Sequence, residues 1–243
     1  MTCSRFWPMT APLYRLALLV GLVTGPAGAT EAPLPPMQMA PPVLVQDVPS
    51  GTEAPPSQLV MPVQVVEDLH DVLVNVMQNA RNLGWQGRYD LLHPVLVRAY
   101  NFSNMARVAA GSYWKTFTDS QRENVIEAFS RMSIATYASR FDAYGGEQFE
   151  TMAVAELPQR GVMVQTRLVR TDGTAIKLSY RLAETEEGWK IVDVFYRGTI
   201  SELANQRTQY LTVLNRVGYK GLLQRLDEKV HKLAVGQEAG AAQ

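Results

Sequence analysis

Cysteine is almost missing from this 243-residue chain: Cys3 is the only one. It lies in the extreme N-terminal segment, so the rest of the chain has no disulfide, no thiol nucleophile and no thiolate metal site. Histidine is scarce as well. His70, His93 and His231 are the three histidines, and no two are spaced as a ligand pair. Glu67 and His70 have helical i, i+3 spacing, but a di-iron centre needs a second such motif. There is no Gly-x-Ser-x-Gly elbow and no phosphate loop opening a helix, so nucleophilic hydrolysis and nucleotide chemistry have no support. Charge of one sign is not in excess either, with Lys+Arg 23 against Asp+Glu 23. A nucleic-acid footprint is therefore not expected. No metal or cofactor is expected.

Among what is present, the N-terminus comes first. Arg5 and Arg15 precede the apolar run "LALLVGLVTGPAGA", which closes on Ala27-Gly28-Ala29. This reads as a secretory signal over residues 1–29, with Met9 as a second possible start. The other reading is a membrane anchor. Against it, the run is shorter than the roughly 20 residues a spanning helix needs, and it contains Gly and Pro. No cysteine stands at the cleavage point to carry a lipid anchor. Residues 30–61 are rich in Pro, Ala, Met and Gln and read as a semi-rigid tether, although "PVLVQ" is apolar enough to pack along a domain. The domain is expected over 62–234, with 235–243 a frayed tail and no internal repeats. About 210 residues beyond the signal are enough for one hydrophobic core, and 47% of the chain is apolar.

Helical spacing dominates the first half. Val65, Leu69, Val72, Val76 and Ala80 recur at intervals of three and four. A second helical segment, from Arg88 to Trp114, should break near His93-Pro94 and again around residues 100–103. Thr118 opens the clearest helix, with Gln121 placed for a reciprocal capping box. It carries Val125, Phe129, Met132, Ile134, Tyr137, Phe141 and Tyr144 and should stop at Gly145-Gly146. This broad aromatic face is equally what plain core packing would look like.

From Glu147 the period becomes two. "EQFETMAVAELP", "GVMVQTRLVRT", "TAIKLSYRLAET" and "GWKIVDVFYRG" read as four antiparallel strands joined by "QR", "DG" and "EEG" turns. Val162, Val164 and Leu168 oppose Gln165 and Arg167, while Ile176, Leu178 and Tyr180 oppose Lys177, Ser179 and Arg181. In the last strand strict alternation sets Trp189, Ile191, Asp193 and Phe195 against Lys190, Val192, Val194 and Tyr196. Both rows are mostly apolar, so both faces should be covered. The closing helices, with Leu203, Tyr210, Leu214 and Val217 and then Leu223, Leu226, Val230 and Leu233, are the expected cover. The fold class is therefore α+β in a single domain: a curved four-stranded antiparallel sheet with helices on its concave side, as in NTF2-like folds.

Asp193 is the one residue suited to acid–base catalysis. A carboxylate on an apolar sheet face has its pKa raised by desolvation and can act as a general base, as in cone-shaped α+β isomerases and dehydratases. The alternative is a strut bonded to a backbone N–H or an arginine. No second acid or base is placed beside it.

Two blocks, "YNFSNMARVAAGSYWKTFTDSQRENVIEAFSRMSIATYASRFDAYGGEQF" and "GWKIVDVFYRGTISELANQRTQY", resemble the MlaC-like toluene-tolerance family of periplasmic lipid-binding proteins. The shared features are Phe102 and Met105 ahead of the bend at 111–114, Thr118 with Gln121, Tyr137-Ala138, and Tyr144-Gly145-Gly146-Glu147. The run from Trp189 to Tyr210, with Gly198-Thr199-Ile200-Ser201-Glu202-Leu203 and Arg207, is similar to the hopanoid-associated HpnM branch. The resemblance covers most of residues 62–233 and implies no catalytic residue. It implies a soluble, monomeric periplasmic carrier of phospholipid or hopanoid. Its partners would be an inner-membrane ABC-type or RND-type transporter and an outer-membrane acceptor complex. The residues expected to line its lipid cavity are Trp114, Phe117, Met132, Tyr137, Phe141, Phe149, Val162, Val164, Leu168, Ile176, Leu178, Tyr180, Ile191, Phe195, Tyr210 and Leu214.

Overall fold

Proline tolerance and glycine conformation, more than apolar spacing, decide where the helices of this chain start and break. The computed structural model describes residues 56–158 and 161–241. The expected signal, most of the tether and the "QR" turn lie outside the described residues. Helix α1 (Pro56–Gln78) begins inside the stretch read as tether, and Pro62 sits within it. Helix α2 (Ala80–Ala99) runs through Pro94 and is broken instead at Gly84, which has φ 60° and ψ −173°. Only glycine occupies that backbone region readily. Pro94 removes one N–H bond to the carbonyl of Asp90, but both residues are exposed, so water can take the carbonyl and the helix continues.

Asn101 caps α3 (Phe102–Ala110) by accepting from Asn104 N, which makes the break expected around residues 100–103 real. A short 3-10 turn (Gly111–Lys115) leads to α4 (Asp119–Arg140), whose N-terminus carries the full capping box of Thr118 and Gln121. That helix ends at Arg140, before the Gly145-Gly146 stop expected from sequence, and Phe141 is its C-cap. Arg88 fastens α2 to this end, donating from Nε to Ala138 O at 2.8 Å and from Nη1 to Ala80 O at 3.0 Å.

The sheet is a meander of five antiparallel strands rather than four: β1 (Gln148–Leu157), β2 (Gly161–Val169), β3 (Ala175–Thr185), β4 (Gly188–Tyr196) and the short β5 (Ile200–Ser201). At the β2–β3 turn, Gly173 N donates to Arg170 O at 3.0 Å and Asp172 accepts from Thr174 N at 2.8 Å. The second correction concerns β4. Arg181 pairs with Asp193 but Leu182 pairs with Ile191, so Val192 is an extra, bulged residue. A bulge reverses alternation beyond itself. Ile191, Val194 and Tyr196 therefore share one face with Leu182, Tyr180 and Leu178, while Asp193 and Phe195 lie on the other.

Helix α1 packs on β1, β2 and β4, and α4 runs through the middle of the helical layer between α2, α3 and α5. Helix α5 (Glu202–Ala241) is broken at Gly218, with φ 68° and ψ −168°. Both of its halves reach α4: Tyr210 meets Phe129, and Asp227 pairs with Arg131. The core lies between the helices and the sheet row Val162, Val164, Leu178, Tyr180, Leu182 and Ile191, all buried. Each fully buried Leu or Ile there contributes about 1.5–3 kcal/mol.

Candidate functional site

Register on the sheet and ring contacts in the helices together define an interior seam. Phe149 pairs with Leu168, which pairs with Ile176; Val164 pairs with Tyr180, and Val162 with Leu182. These side chains share the helix-facing side of the sheet. His70 of α1 lies on them, stacked on Phe149 at 3.9 Å and hydrogen-bonded through Nε2 to the Tyr180 hydroxyl at 3.0 Å. From there rings continue without a gap. Phe149 meets Phe141 at 6.5 Å, Phe141 stacks on Tyr137 at 5.6 Å, and Tyr137 meets Tyr100 at 6.1 Å. Tyr100 stacks on Phe102 at 5.4 Å, Phe102 meets Phe129 at 6.1 Å, and Phe129 meets Tyr210 at 5.9 Å. Such ring pairs favour offset-stacked or edge-on geometry and add to plain area burial.

The titratable rings of the seam are neutral at pH 7. Burial holds the His70 imidazole down at about 3, so it is uncharged at neutral pH. Burial likewise pushes the Tyr137 phenol up to about 12 and raises those of Tyr100, Tyr180 and Tyr210. The Tyr100 and Tyr137 hydroxyls bond to each other. An apolar molecule placed against these rings would meet no ionised ring, with the Arg140 guanidinium acting on Tyr137 from the end of α4.

The candidate residues read from sequence fall into separate groups. Tyr137, Phe141, Phe149, Val162, Val164, Leu168, Ile176, Leu178, Tyr180 and Ile191 come together at the seam's sheet end. Met132, Tyr210 and Leu214 are buried within the helical layer. Trp114 and Phe117 stand apart, at the 3-10 turn and the loop after it: they meet each other at 6.4 Å, and Phe117 meets Tyr219 at 5.5 Å. Phe195 is on the opposite sheet face, paired in register with Ser179 and Ser201. Two surface clefts, of about 510 and 440 Å³, are lined by none of these residues. The larger lies where Val97 to Ser103 faces the β3–β4 turn.

Sequence reasoning missed His70 and Tyr100 as seam residues. The signal for His70 was its position between Leu69 and Leu73 on the apolar face of α1. Glu67 does not join it in a metal pair, since it accepts from Thr151 Oγ1 at 3.0 Å. Among the described residues no group of three or more His, Cys, Asp or Glu could hold a metal ion.

Asp193 is tied down on every side. Its Oδ1 accepts from Val194 N at 2.8 Å and Leu203 N at 3.1 Å, and its Oδ2 accepts from Ser201 Oγ at 2.6 Å. Ser201 Oγ in turn accepts from Ala204 N at 2.9 Å. The carboxylate thus joins β4 to the first turn of α5 and satisfies donors that a helix start leaves open. Burial still raises its pKa against these bonds. Both oxygens are already occupied by these donors, so a substrate proton could reach the carboxylate only by displacing one of them.

Trp85 Nε1 on α2 and one row on α5 break the pattern of paired polar groups. Glu202, Gln206 and Tyr210 recur at i, i+4 and i+8 along α5 and are 7%, 7% and 1% exposed. Glu202 Oε2, Gln206 Oε1 and the Tyr210 hydroxyl are sealed from solvent with no hydrogen-bond partner among the described residues. Each such atom costs about 1–3 kcal/mol. Burial lifts the Glu202 carboxyl to about 7, against the opposing pull of the nearby Arg140 guanidinium.

The phospholipid-binding protein from Ralstonia solanacearum, solved in complex with a phospholipid, shares this fold. It superposes with a TM-score of 0.62 at 23% identity, over 72% of this chain and 98% of that one. The Intermembrane phospholipid transport system binding protein MlaC of Haemophilus influenzae is 23% identical over 122 residues. That alignment spans 49% of this chain and only 56% of the relative's length. The family model described as MlaC protein matches residues 67–228, which hold the seam and the row on α5, and this chain belongs to that family.

Proposed function

We propose that the protein is a periplasmic lipid-binding carrier that moves a phospholipid or a hopanoid-type lipid between the inner and outer membranes. The single observation that carries this reading is the uncharged seam of rings and aliphatic side chains running from the sheet row at Tyr180 to Tyr210 of α5. A lipid crossing water must hide its tails, at about 0.8 kcal/mol per methylene, so a chain of about 16 carbons requires on the order of 12 kcal/mol of cover. A sheet and helical layer parting along this seam supplies apolar walls on both sides, with the sheet curved around the tails. His70 and Tyr180 satisfy each other, so the tails leave no polar atom stranded there.

The relatives' printed names speak of phospholipid binding and intermembrane transport, and these support the class of cargo and route. A hopanoid-type cargo is suggested by the association of the HpnM branch, which residues 198–207 resemble, and not by a residue that would contact it. Export through a signal at residues 1–29 would bring a monomeric carrier to the periplasm. There it would meet an inner-membrane ABC-type or RND-type transporter and an outer-membrane acceptor complex. No catalysis is assigned: the isomerase alternative needs Asp193 as a base, and its oxygens are committed to Ser201, Leu203 and Val194.

Organic extraction of the purified protein followed by mass spectrometry tests the reading. Lipid in near-stoichiometric amount is expected. Protein that emerges empty, and stays empty after incubation with phospholipid vesicles, refutes it.

A further inference from the structure

We infer that the free edge of β1 is a docking strip for the chain's own residues 43–48, Val43-Leu44-Val45-Gln46-Asp47-Val48, which add to the sheet as a further strand. This contact does not depend on what the protein carries.

The two edges of the sheet differ. At the β4 edge, Phe195 and Tyr196 pair with β5, Ile191 O accepts from Asn101 N at 2.9 Å, and Lys190 Nζ donates to Arg98 O at 2.7 Å. At the other edge β1 pairs with β2, and among the described residues no strand pairs with its outer side. Of the long strands, β1 is the one without a buried residue. Proteins guard such an edge with lysine, proline, a bulge or a very short strand. β1 has neither lysine nor proline, and it is ten residues long. Its bulge lies at Met152, between the pairs Thr151–Thr166 and Ala153–Gln165, and the register is regular again from Ala153 to Leu157. There Ala153-Val154-Ala155 is small and uncharged, so its outward backbone groups are open to one more strand.

The path of α1 points to the occupant. This helix runs antiparallel to β1: His70 stacks on Phe149, and one turn nearer the helix start Glu67 accepts from Thr151 Oγ1. Followed back eleven more residues, about 16 Å, the axis brings Pro56 beside residues 153–157 of β1. The preceding chain therefore enters the domain alongside the bare stretch of edge. Between Pro33 and Pro56, residues 43–48 are the longest run without proline. The run is rich in valine, and Pro42 and Pro49 bound it, at ends where a strand tolerates them. Residues 49–55 reach up to about 26 Å when extended, enough to lay the run beside 153–157 in either direction. Tethering makes the docking intramolecular, at an effective concentration on the order of millimolar, so a contact too weak for a separate peptide suffices. Once docked, the segment makes β1 an interior strand and keeps it from pairing with β1 of another copy.

The test reads backbone amide exchange by mass spectrometry in the full chain, as wild type and as Val45→Pro. Proline at this position removes a ladder N–H and leaves the domain from Pro56 onward untouched. In wild type, residues 43–48 should exchange at least about tenfold more slowly than residues 50–54. Val45→Pro should abolish that difference and speed the outward amides of 153–157 about tenfold, while α4 keeps its wild-type rates. A second arm uses the scarcity of cysteine. In a Cys3→Ser background, Ala155→Cys is combined in turn with Val43→Cys, Leu44→Cys, Val45→Cys and Gln46→Cys. Mild oxidation should give disulfides within one chain, with a yield that alternates along 43–46 as a strand requires.

Equal exchange of 43–48 and 50–54 in wild type overturns the proposal, and so do rates at 153–157 that Val45→Pro leaves unchanged. Disulfides of even yield along 43–46 overturn it as well, because they describe a chain that passes the edge without register. Disulfides that join two chains give the edge to a second copy instead, which also overturns it.

Discussion

Where α1 meets the sheet, the buried polar ring atoms are matched: His70 with the Tyr180 hydroxyl, and nearby Tyr100 with Tyr137. Where α4 meets the first half of α5, the packing is just as aromatic, with Phe129 edge-on to Tyr210, yet the polar atoms along α5 have no partners. The two seams bury comparable rings and so gain comparable hydrophobic stabilisation. They differ in what the burial costs. A matched pair in a dry site nearly offsets its desolvation, whereas an orphaned oxygen bears the full penalty. The first seam therefore suits tails that carry no hydrogen-bonding groups.

The largest effect expected from breaking this comparison comes from charge. Phe129→Asp would bury an unpaired carboxylate among rings at the α4–α5 contact. At several kcal/mol this is comparable with the whole stability of a domain. Circular dichroism should show an unfolded chain. Leu178→Asp, at the sheet end of the seam, should instead stay folded and lose lipid, because an emptied tail site can admit water to the new carboxylate. If both variants unfold alike, the sheet end is solid core and the tail site is elsewhere.

Acid comes next. The folded His70 value of about 3 lies below the usual 6.5. Between those values the unfolded chain takes up a proton that the folded protein cannot, so this residue's contribution is intact above pH 6.5 and is lost as pH falls towards 3. The full loss is on the order of 5 kcal/mol. Denaturant midpoints measured from pH 7 to pH 4 should fall steeply for wild type and less for His70→Phe. Glu202 works the other way. Its raised value of about 7 favours the folded state below 4.5 and loses that contribution as pH rises through 7. Equal slopes for wild type and His70→Phe would mean that the imidazole is not sealed in.

The smallest pair has opposite signs. Tyr180→Phe strands His70 Nε2 and should destabilise by about 1–3 kcal/mol, while Tyr210→Phe deletes an orphan and should be neutral or stabilising by up to about 1 kcal/mol. Thermal melts of the two side by side would show whether the seams differ as described. Losses of similar size in both would mean that they do not.

Much of the frame is legible in the residues. Thr118 and Gln121 mark the start of α4, the break around residues 100–103 the start of α3, and period-two runs the four long strands. The assignments that failed did so where a neighbour overrode a local rule. Pro94 breaks nothing because the carbonyl it strands faces solvent. Val192 shifts the phase of β4, so Phe195 faces away from the seam it was expected to line. Trp114 and Phe117 are as aromatic as the seam residues, but the 3-10 turn and the loop after it carry them to Tyr219.

Sequence alone determines what depends on near neighbours along the chain: the capping box at Thr118, the helix and strand periods, and the supply of rings. It also determines membership of a family, which is a pattern over many positions. Tertiary structure decided what depends on residues distant in sequence. That Asp193 joins β4 to the start of α5 shows only in the fold, where Ser201 and Leu203 donate to its oxygens. Whether a buried polar atom is matched or stranded was settled by what lay opposite: Tyr180 for His70, 110 residues away, and nothing among the described residues for the row on α5. Hydrogen-bond satisfaction is a property of pairs, and no single stretch of sequence contains both partners.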